Sequence, residues 1–381
     1  MRGLAYFKKR DIHFTKDLPE PKINVDDEII IDVSYCGICG SDLHEYLEGP
    51  IFMPKDNETN EISNLSLPLA MGHEMSGIVR EVGKNVTKVK KGDKVVVEAS
   101  SACSDVHRFA TGKHYGEEKC PNCARGYDNC CAYAGFTGLG FIGGGFAEQI
   151  LVGEQHIVRI PDEIPLDVAA LVEPLSVTWH AAKVGKFVKG STALILGSGP
   201  IGLAMILVLK ALGASKIVVS EVAQVRRKLA EKMKVEVFDP SVHGKNTSNE
   251  LRLLTENKDG FDFAFDCSGL EVTMNTAIHA TKCRGTIVNV AVWGSTMEFN
   301  MMDITLQEKT LIGSIGYVVR DFEEVVASIH KRAISIEDCR HLITGKQKIE
   351  DGWEHGFMEL MNHKEKNIKI LLTPNNYHEL D

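Results

Sequence analysis

The spacing of hydrophobic residues changes along this chain, and the change predicts two kinds of structure. In the first part, short stretches alternate apolar and polar positions, as in Glu28 to Tyr35, where Ile29, Ile31 and Val33 share one face. Such a period of two indicates a β-strand with one buried side. Glycine turns separate these stretches, which favours a compact, barrel-like β domain. Further strands are predicted after His73 and at Lys94 to Ala99, Phe146 to Val152 and His156 to Ile160.

The second part replaces this alternation with continuous apolar runs. Ala193 to Leu196 is predicted as a buried strand, Leu203 to Leu212 as a helix and Lys216 to Ser220 as a second strand. The same rhythm continues in strands at Phe261 to Asp266, Gly285 to Val292 and Leu311 to Ile315, and in a helix at Phe322 to His330. Strands that alternate with helices are typical of a parallel α/β sheet.

Two further segments connect the parts. A helix is predicted over Asp167 to Ala182, and the C-terminal stretch contains a closing strand at Ile368 to Leu372. We therefore expect residues 177–316 to be inserted as one domain into another, which residues 1–176 and 317–381 form together.

Composition narrows the function classes. The 381 residues are 44% hydrophobic and 25% charged, as expected for a soluble globular protein. The net charge of −9 disfavours binding to nucleic acids or anionic membranes. No apolar run approaches the ~20 residues that a membrane span needs. The N-terminus lacks the apolar segment of a secretory signal, so we expect a cytoplasmic protein.

The sequence GSGPIG joins the first strand of the second part to its helix. Gly197, Gly199 and Gly202 have the G-x-G-x-x-G spacing, which allows a tight turn, close approach of a pyrophosphate and close packing of helix on strand. The pyrophosphate would lie over the helix N-terminus, where free N–H groups favour an anion. Glu221 ends the next strand, where a carboxylate accepts from a ribose diol and repels a 2′-phosphate. The pattern predicts NAD binding, with Arg226 either near the adenosine or a solvated helix charge.

The ten cysteines occur in two groups and at three isolated positions. In a long chain without a secretory signal, clustered cysteines indicate metal binding more than disulfides. Cys36 and Cys39 form a C-x-x-C pair, whose spacing alone fits a redox pair or a shared zinc site. The larger group lies in a polar segment that a metal can order, and contains Cys103, Cys120, Cys123, Cys130 and Cys131. The isolated cysteines, expected to be small buried apolar residues, are Cys267, Cys283 and Cys339.

Five features, in this order, resemble those of the zinc-containing medium-chain alcohol and polyol dehydrogenases: CGICGSDLH, GHEMSG, the cysteine segment, VEPLSVTWHA and GSGPIG. The resemblance covers essentially the whole chain. It implies an α/β protein with a GroES-like β-barrel catalytic domain (residues 1–176 and 317–381) and a Rossmann domain with a doubly wound parallel sheet (residues 177–316). Members of this family are dimers or tetramers, and the resemblance favours a homodimer.

By this resemblance, Cys39, His73 and Glu173 match the ligands of a catalytic zinc. Such a site needs about three protein ligands and an open position for the substrate oxygen. Cys36 is then structural. Glu74 adjoins His73, and whether it contacts the metal or supports the site stays open.

Ser41 and His44 match the family's proton relay. There, the equivalent hydroxyl and imidazole pass the substrate proton to solvent through the cofactor ribose, because oxidation of an alcohol requires loss of a proton as well as a hydride. Asp42 is expected to anchor a zinc ligand rather than to act as a base.

The resemblance implies a second, structural zinc in a closed site of four thiolates, Cys103, Cys120, Cys123 and Cys131. The family's usual cysteine three residues before Cys120 is replaced here by Glu117, and Cys103 lies upstream across an insertion as the candidate for that ligand. Cys130 is the alternative to Cys131. A reduced segment without metal is the alternative to the whole site.

The cofactor pocket extends beyond the glycine turn. By resemblance, Thr178 lies near the nicotinamide, while Ser268 and Val292 lie at strand ends, where open α/β sheets bind ligands. The residues expected to bind NAD are Gly197, Gly199, Pro200, Ile201, Gly202, Glu221, Arg226, Thr178, Ser268 and Val292. The expected cofactors are thus NAD and two zinc ions per chain.

Three stretches resemble yeast (R,R)-2,3-butanediol dehydrogenases in particular, namely EYLEGPIFMPKD, LQEKTLIGSIGYVVRDFEEVV and ILLTPNN. This resemblance implies reversible oxidation of a small vicinal diol, (R,R)-2,3-butanediol, to the hydroxyketone acetoin, with zinc holding the alcohol oxygen and hydride passing to NAD. The alternatives are a sorbitol- or xylitol-type polyol dehydrogenase and a non-catalytic protein on this fold. A non-catalytic protein would be expected to lack zinc ligands or fingerprint glycines.

Overall fold

The computed structural model describes residues 1–109 and 119–375. Its strands are β1 (Gly3–Lys8), β2 (Asp11–Thr15), β3 (Glu28–Gly37), β4 (Leu69–Ala70), β5 (Glu74–Val82), β6 (Lys94–Val97), β7 (Ser100–Ser101), β8 (Gly135–Phe136), β9 (Gln149–Gly153), β10 (Ile157–Arg159), β11 (Thr192–Leu196), β12 (Lys216–Ser220), β13 (Glu236–Phe238), β14 (Phe261–Asp266), β15 (Thr281–Asn289), β16 (Thr310–Gly313), β17 (Ile343–Lys348) and β18 (Lys369–Thr373). Its α-helices are α1 (Gly40–Glu48), α2 (Leu166–Ala169), α3 (Val172–Val184), α4 (Pro200–Ala211), α5 (Gln224–Lys232), α6 (Thr247–Leu253), α7 (Glu271–Ala280), α8 (Met302–Thr305), α9 (Val319–His330), α10 (Ile336–Arg340) and α11 (Met358–Asn362). Short 3₁₀ helices lie at Cys103–Arg108, Cys123–Arg125, Asp128–Cys130, Glu154–His156, Pro240–Val242, Gly244–Asn246 and Ile349–Asp351, and Gly352–Phe357 is a π-helix.

The chain divides into two compact units. The described residues within 1–173, 317–330 and 343–381 form the first unit, and residues 174–316 and 331–342 form the second. The domain boundaries expected from the sequence, after residues 176 and 316, stay a prediction. Within the described residues, no helix combines the length and apolar character needed to cross a membrane.

The first unit is built on a mixed sheet around β3. Its strands follow the order β10-β6-β5-β3-β18-β17, and β9 also pairs with β3. Because β3 pairs with β5, β9 and β18, nearly all of its residues are buried, including Glu28 and Ser34. The strand predicted at Glu28 to Tyr35 is confirmed as β3, and most of its polar side chains are buried as well. Its pairing with β18 brings the C-terminal strand beside the segment that leads to Cys39.

The helix predicted over Asp167 to Ala182 is two helices, α2 and α3, separated at Ala170 and Leu171. The reason lies in Pro174, whose ring would clash with the carbonyl of Ala170 in a continuous helix. The break places Glu173 in the first turn of α3. The predictions at Lys216 to Ser220 and Phe261 to Asp266 are confirmed as β12 and β14.

The second unit contains a parallel sheet in the order β13-β12-β11-β14-β15-β16. Counted from β11, this is the strand order 3-2-1-4-5-6 of the doubly wound Rossmann fold, as predicted. The order reverses between β11 and β14, and ligands of such sheets bind beyond the carboxyl ends at this reversal. The sheet thus points to the GSGPIG turn, which directly follows β11.

Candidate active site and cofactor-binding site

The N-terminus of α1 positions the first candidate zinc ligand. Cys39 is the N-cap of this helix, and its backbone N–H donates to Asp42 Oδ2 at 2.8 Å. Asp42 is fully buried, and its Oδ1 lies 3.6 Å from His73 Nδ1. A carboxylate facing Nδ1 favours the proton on that nitrogen and leaves the Nε2 lone pair for a metal. The expected role of Asp42 as an anchor agrees with this geometry.

Three potential ligand atoms meet at this place. The side chains of Cys39, His73 and Glu74 each offer one atom, and these atoms all lie within 4.8 Å of one another. Glu74 Oε1 accepts a hydrogen bond from Lys369 Nζ at 2.5 Å, while Oε2 has no partner among the described residues. Lys369 also donates to the carbonyl of Ile38 at 3.1 Å. Glu74 is therefore held in place through one oxygen, with the other available to a cation.

Glu173 is buried near these residues but does not belong to the group of three. Burial raises the pKa of its carboxyl to about 8; the charges of Glu74 and Cys39 add to the rise, and His73 and Tyr317 oppose it. Those interactions show that Glu173 faces the same cluster. The structure thus brings all four predicted acidic, thiol and imidazole groups to one site, with Glu74 rather than Glu173 at ligand spacing.

The two predicted proton-relay residues share one face of α1. Ser41 Oγ lies 3.3 Å from His73 Nε2, so the hydroxyl reaches the candidate metal site. His44 is one turn further along and exposed to solvent. Residues three apart are neighbours on a helix surface, which makes a path from the site to solvent along this face geometrically reasonable.

Four cysteines form a second candidate metal site. The sulfurs of Cys103, Cys120, Cys123 and Cys131 all lie within 4.8 Å of one another. The Sγ atoms of Cys103 and Cys131 are 3.4 Å apart, and those of Cys120 and Cys131 are 3.8 Å apart. A tetrahedral site with Zn–S bonds of about 2.3 Å puts sulfurs about 3.8 Å apart. Cys130 is exposed and outside the group. Glu117 lies outside the described residues.

The glycine turn of the second unit has the geometry that its sequence predicts. Gly197 has a φ of +94°, which L side chains rarely adopt. A Cβ on Gly202 would collide with the Gly197 carbonyl, whereas a Cβ on Gly199 would meet open space. Gly199 caps α4, with Pro200 and Ile201 in the first turn. The turn therefore leaves room for a phosphate beside the helix N-terminus.

Glu221 supports this turn directly. Its Oε2 accepts from the backbone N–H of Ser198 at 2.8 Å and from the Ser198 hydroxyl at 3.2 Å, and its Oε1 accepts from Ala223 N at 2.8 Å. Arg226 lies partly buried on α5. A carboxylate oxygen can accept two hydrogen bonds, so Glu221 can also accept hydrogen bonds from a ribose diol.

The remaining predicted cofactor residues occupy different positions in the second unit. Ser268 follows β14 and donates to the carbonyl of Leu196 at 3.0 Å, which ties the two strand ends at the reversal together. Val292 is exposed beyond β15. Thr178 is buried on α3, and its hydroxyl donates to the carbonyl of Leu175 at 2.9 Å.

Comparison with known proteins identifies the family. The Alcohol dehydrogenase GroES-like domain matches residues 25–162, and the Zinc-binding dehydrogenase domain matches residues 200–331. The chain is 64% identical to the (R,R)-butanediol dehydrogenase of Saccharomyces cerevisiae over 381 residues, which cover 100% of both chains. The chain belongs to the zinc-containing alcohol dehydrogenases.

Two further comparisons support the assignment of the chain to this family. A probable (R)-acetoin-forming diacetyl reductase of Saccharomyces cerevisiae is 52% identical over 383 residues, which cover 100% of this chain and 92% of the relative. The crystal structure of 2R,3R-butanediol dehydrogenase from Bacillus subtilis superposes with a TM-score of 0.86 at 35% identity and covers 98% of this chain and 99% of its own. The predicted fold class, a GroES-like domain with a Rossmann sheet, is confirmed.

The residues of this dehydrogenase fit the zinc and NAD that it uses. Burial raises the pKa of Cys39 to about 11, and the charge of Glu74 adds to this rise while Lys369 opposes it. Burial also raises the pKa of Asp42 to about 6. Without a metal, burial disfavours the ionised forms of this thiol and carboxylate. A bound divalent cation favours the thiolate and compensates the carboxylate charge, so the same residues are suited to hold zinc.

Two contacts in this dehydrogenase were missed by sequence reasoning. The sequence pattern places Lys369 only in a closing strand and Ser198 only within the spacing of a glycine motif. A lysine inside the apolar run Ile368 to Leu372 is the one signal that could have indicated a buried partner for Lys369. For Ser198, a polar side chain between two fingerprint glycines carried no such signal.

Proposed function

We propose that this enzyme catalyses the reversible, NAD-dependent oxidation of (R,R)-2,3-butanediol to acetoin. The identity of 64% with a yeast (R,R)-butanediol dehydrogenase, over the whole of both chains, carries the proposal. The buried thiol, imidazole and carboxylate at one place, and an intact glycine turn in the second unit, support a catalytic role over a purely structural one.

Cys39 and His73 would hold the catalytic zinc, with Glu74 or Glu173 as the third ligand. When bound, zinc supplies a Lewis acid that lowers the pKa of the substrate hydroxyl. Asp42 orients the imidazole and caps the helix that carries Cys39. Lys369 holds Glu74 through one carboxylate oxygen and so limits its motion at the site. In this proposal, Cys103, Cys120, Cys123 and Cys131 hold the structural zinc.

Ser41 is proposed to receive the substrate proton and His44 to release it. The Ser41 hydroxyl reaches the site through its contact with His73 Nε2, and the exposed imidazole of His44 exchanges protons with water. By resemblance, the cofactor ribose connects the two.

In the second unit, residues 197–202 are proposed to bind the pyrophosphate of NAD, and Glu221 the adenosine ribose. Thr178, Ser268, Val292 and Arg226 are proposed to line the rest of the cofactor site. The acidic Glu221 would disfavour the 2′-phosphate of NADP.

A cytoplasmic homodimer is also proposed. Strand β16 is an edge of the parallel sheet, and Leu311 on it and Met302 on α8 are exposed. An exposed edge strand with apolar neighbours is a template for pairing with a second copy. Sedimentation of the purified chain tests whether it forms a dimer.

The substrate assignment is tested by NADH formation with the separate stereoisomers of 2,3-butanediol and with sorbitol and xylitol. We expect the highest kcat/KM with (R,R)-2,3-butanediol. A higher value for a polyol would replace the proposal with the polyol dehydrogenase alternative. No turnover with any of these alcohols by the zinc-loaded protein would overturn it.

A further inference from the structure

A cluster of charged side chains that the proposed chemistry does not use is buried in the first unit. Each member is at most 8% exposed. We call it the anchor cluster, and its members are Glu28, Glu98, Asp105, Arg108 and His156. Buried charges are costly unless they are paired, so a cluster of this size needs a structural or functional reason.

The anchor cluster is closely paired. His156 Nδ1 lies 2.5 Å from Glu98 Oε2, and its Nε2 lies 2.7 Å from Asp105 Oδ1. Only an imidazolium donates from both ring nitrogens, so this geometry favours a charged His156. Arg108 donates to Asp105 at 3.2 Å and to Glu28 at 3.1 Å. The cluster thus connects the start of β3 and the residue after β6 to the 3₁₀ helix that contains Asp105.

Asp105 and Arg108 lie in the same short 3₁₀ helix as Cys103. That helix runs from Cys103 to Arg108, and Asp105 Oδ2 accepts from the backbone N–H of Ala102 at 3.0 Å. The cluster therefore fixes the backbone directly before Cys103 as well as the turn after it. The Cys103 sulfur then lies 3.4 Å from that of Cys131.

Cys103 needs such support more than its three partners do. Cys120, Cys123 and Cys131 come from one short segment, whereas residues 104–119 separate Cys103 from them in sequence. A ligand that must be brought in from a separate segment costs more conformational entropy unless that segment is already held. This support comes from Glu28, the first residue of β3, and from His156, which directly precedes β10.

We propose that the anchor cluster is a positioning device that presents Cys103 to the structural zinc. The proposal rests on the assignment of the four cysteines to zinc made above. Its members do not touch the metal; they act through the backbone of the helix that begins at Cys103.

The test uses the purified, zinc-loaded protein and two variants, Asp105→Asn and His156→Gln. Zinc content is measured first, followed by the rate of zinc release to a colorimetric chelator. Substitutions of groups that orient a ligand typically weaken metal binding by about 10- to 100-fold, and we expect faster release of one of the two zinc ions on that scale. The other zinc should be released at the wild-type rate. Loading with Co²⁺ gives an independent readout, because the thiolate-to-cobalt absorption should weaken in both variants.

Val95→Ala is the matched control, since it removes buried methyl groups from β6 without changing a charge of the cluster. If Val95→Ala lowers thermal stability as much as the variants do but keeps the slow release, general destabilisation is excluded. Wild-type release rates in Asp105→Asn and His156→Gln would overturn the positioning role. A wild-type protein with a single zinc that is lost in Cys39→Ala would instead overturn the four-cysteine assignment. Should either variant fail to fold, Glu28→Gln at the periphery of the cluster gives the same comparison.

Discussion

Lys369 Nζ lies 2.5 Å from Glu74 Oε1, and both side chains are almost completely buried. Burial alone would lower the pKa of Lys369, but the charges of Glu74 and Cys39 raise it, so the lysine stays cationic. The pair connects β18, close to the C-terminus, with the strand that begins at the candidate zinc site. It compensates part of the negative charge that the ligands accumulate there.

Replacing Lys369 by Met should therefore be strongly destabilising. Removal of one partner from a buried ion pair leaves an uncompensated charge and typically costs about 3–5 kcal/mol. Lys84→Met is the control, because Lys84 pairs with Asp26 at the surface, where solvent screens the attraction and such pairs contribute little to stability. Chemical denaturation of the three proteins measures the difference. Equal losses in the two variants would show that the buried pair has no special weight, and Glu74→Gln in the Lys369→Met background should recover part of the loss.

The proton relay predicts an order of effects. Ser41→Ala removes the hydroxyl that reaches the site, and loss of a general acid–base group typically costs ~10²–10⁴-fold in rate. His44→Gln should cost less, because His44 is exposed and small buffer bases can replace it. Steady-state rates with increasing imidazole concentration check both statements. A His44 variant that is more damaged than the Ser41 variant, with no rescue, would mean that the proton takes another path.

Glu221 is predicted to select NAD by its charge. Glu221→Gln keeps an acceptor for Ser198 and removes the negative charge, so the preference for NAD over NADP should fall about tenfold or more, since hydrogen bonds to charged groups contribute ~1.5–3 kcal/mol. Ser198→Ala is the control, because it removes only the hydroxyl contact and should leave the ratio of kcat/KM values unchanged. Equal efficiency of the wild type with both cofactors would contradict this role.

The charge of His156 makes the stability of the folded protein fall as the pH rises into the alkaline range. Burial would lower its pKa, but Asp105 and Glu98 raise it from the ordinary 6.5 to about 10. Because the folded protein binds this proton more tightly than the unfolded chain, the stabilisation is complete below pH 6.5 and is lost as the pH rises to about 10. The stability difference between wild type and His156→Gln, measured by denaturation at several pH values, should shrink over this range. A difference that stays constant would place the charge of His156 outside the folding equilibrium.

Local motifs could be predicted from the sequence because their physics is local. The glycine turn depends on Gly197, which adopts a positive φ, and on Gly202, which packs on the strand, and both positions follow from spacing alone. The alternation of apolar runs and helices predicted a parallel α/β sheet in the second unit, while its doubly wound order was implied only by the family resemblance. These features need no information about distant residues.

Long-range pairing could not be predicted in the same way. Lys369 and Glu74 are 295 residues apart in sequence, and no periodicity connects them. The break between α2 and α3 depends on Pro174, a local signal that was outweighed by the helical pattern on both sides. The anchor cluster combines residues from four segments of the first unit, and its members individually resemble ordinary surface charges in the sequence.

The rate of NADH formation from (R,R)-2,3-butanediol, measured together with zinc content, tests the central claim most directly. The wild type should contain about two zinc ions per chain and oxidise the diol, while Cys39→Ala should contain about one and show no turnover, because one site holds the catalytic and the other the structural metal. Adding zinc should not restore the variant. Full activity of Cys39→Ala, or an active wild type without zinc, would contradict the assignment of this site.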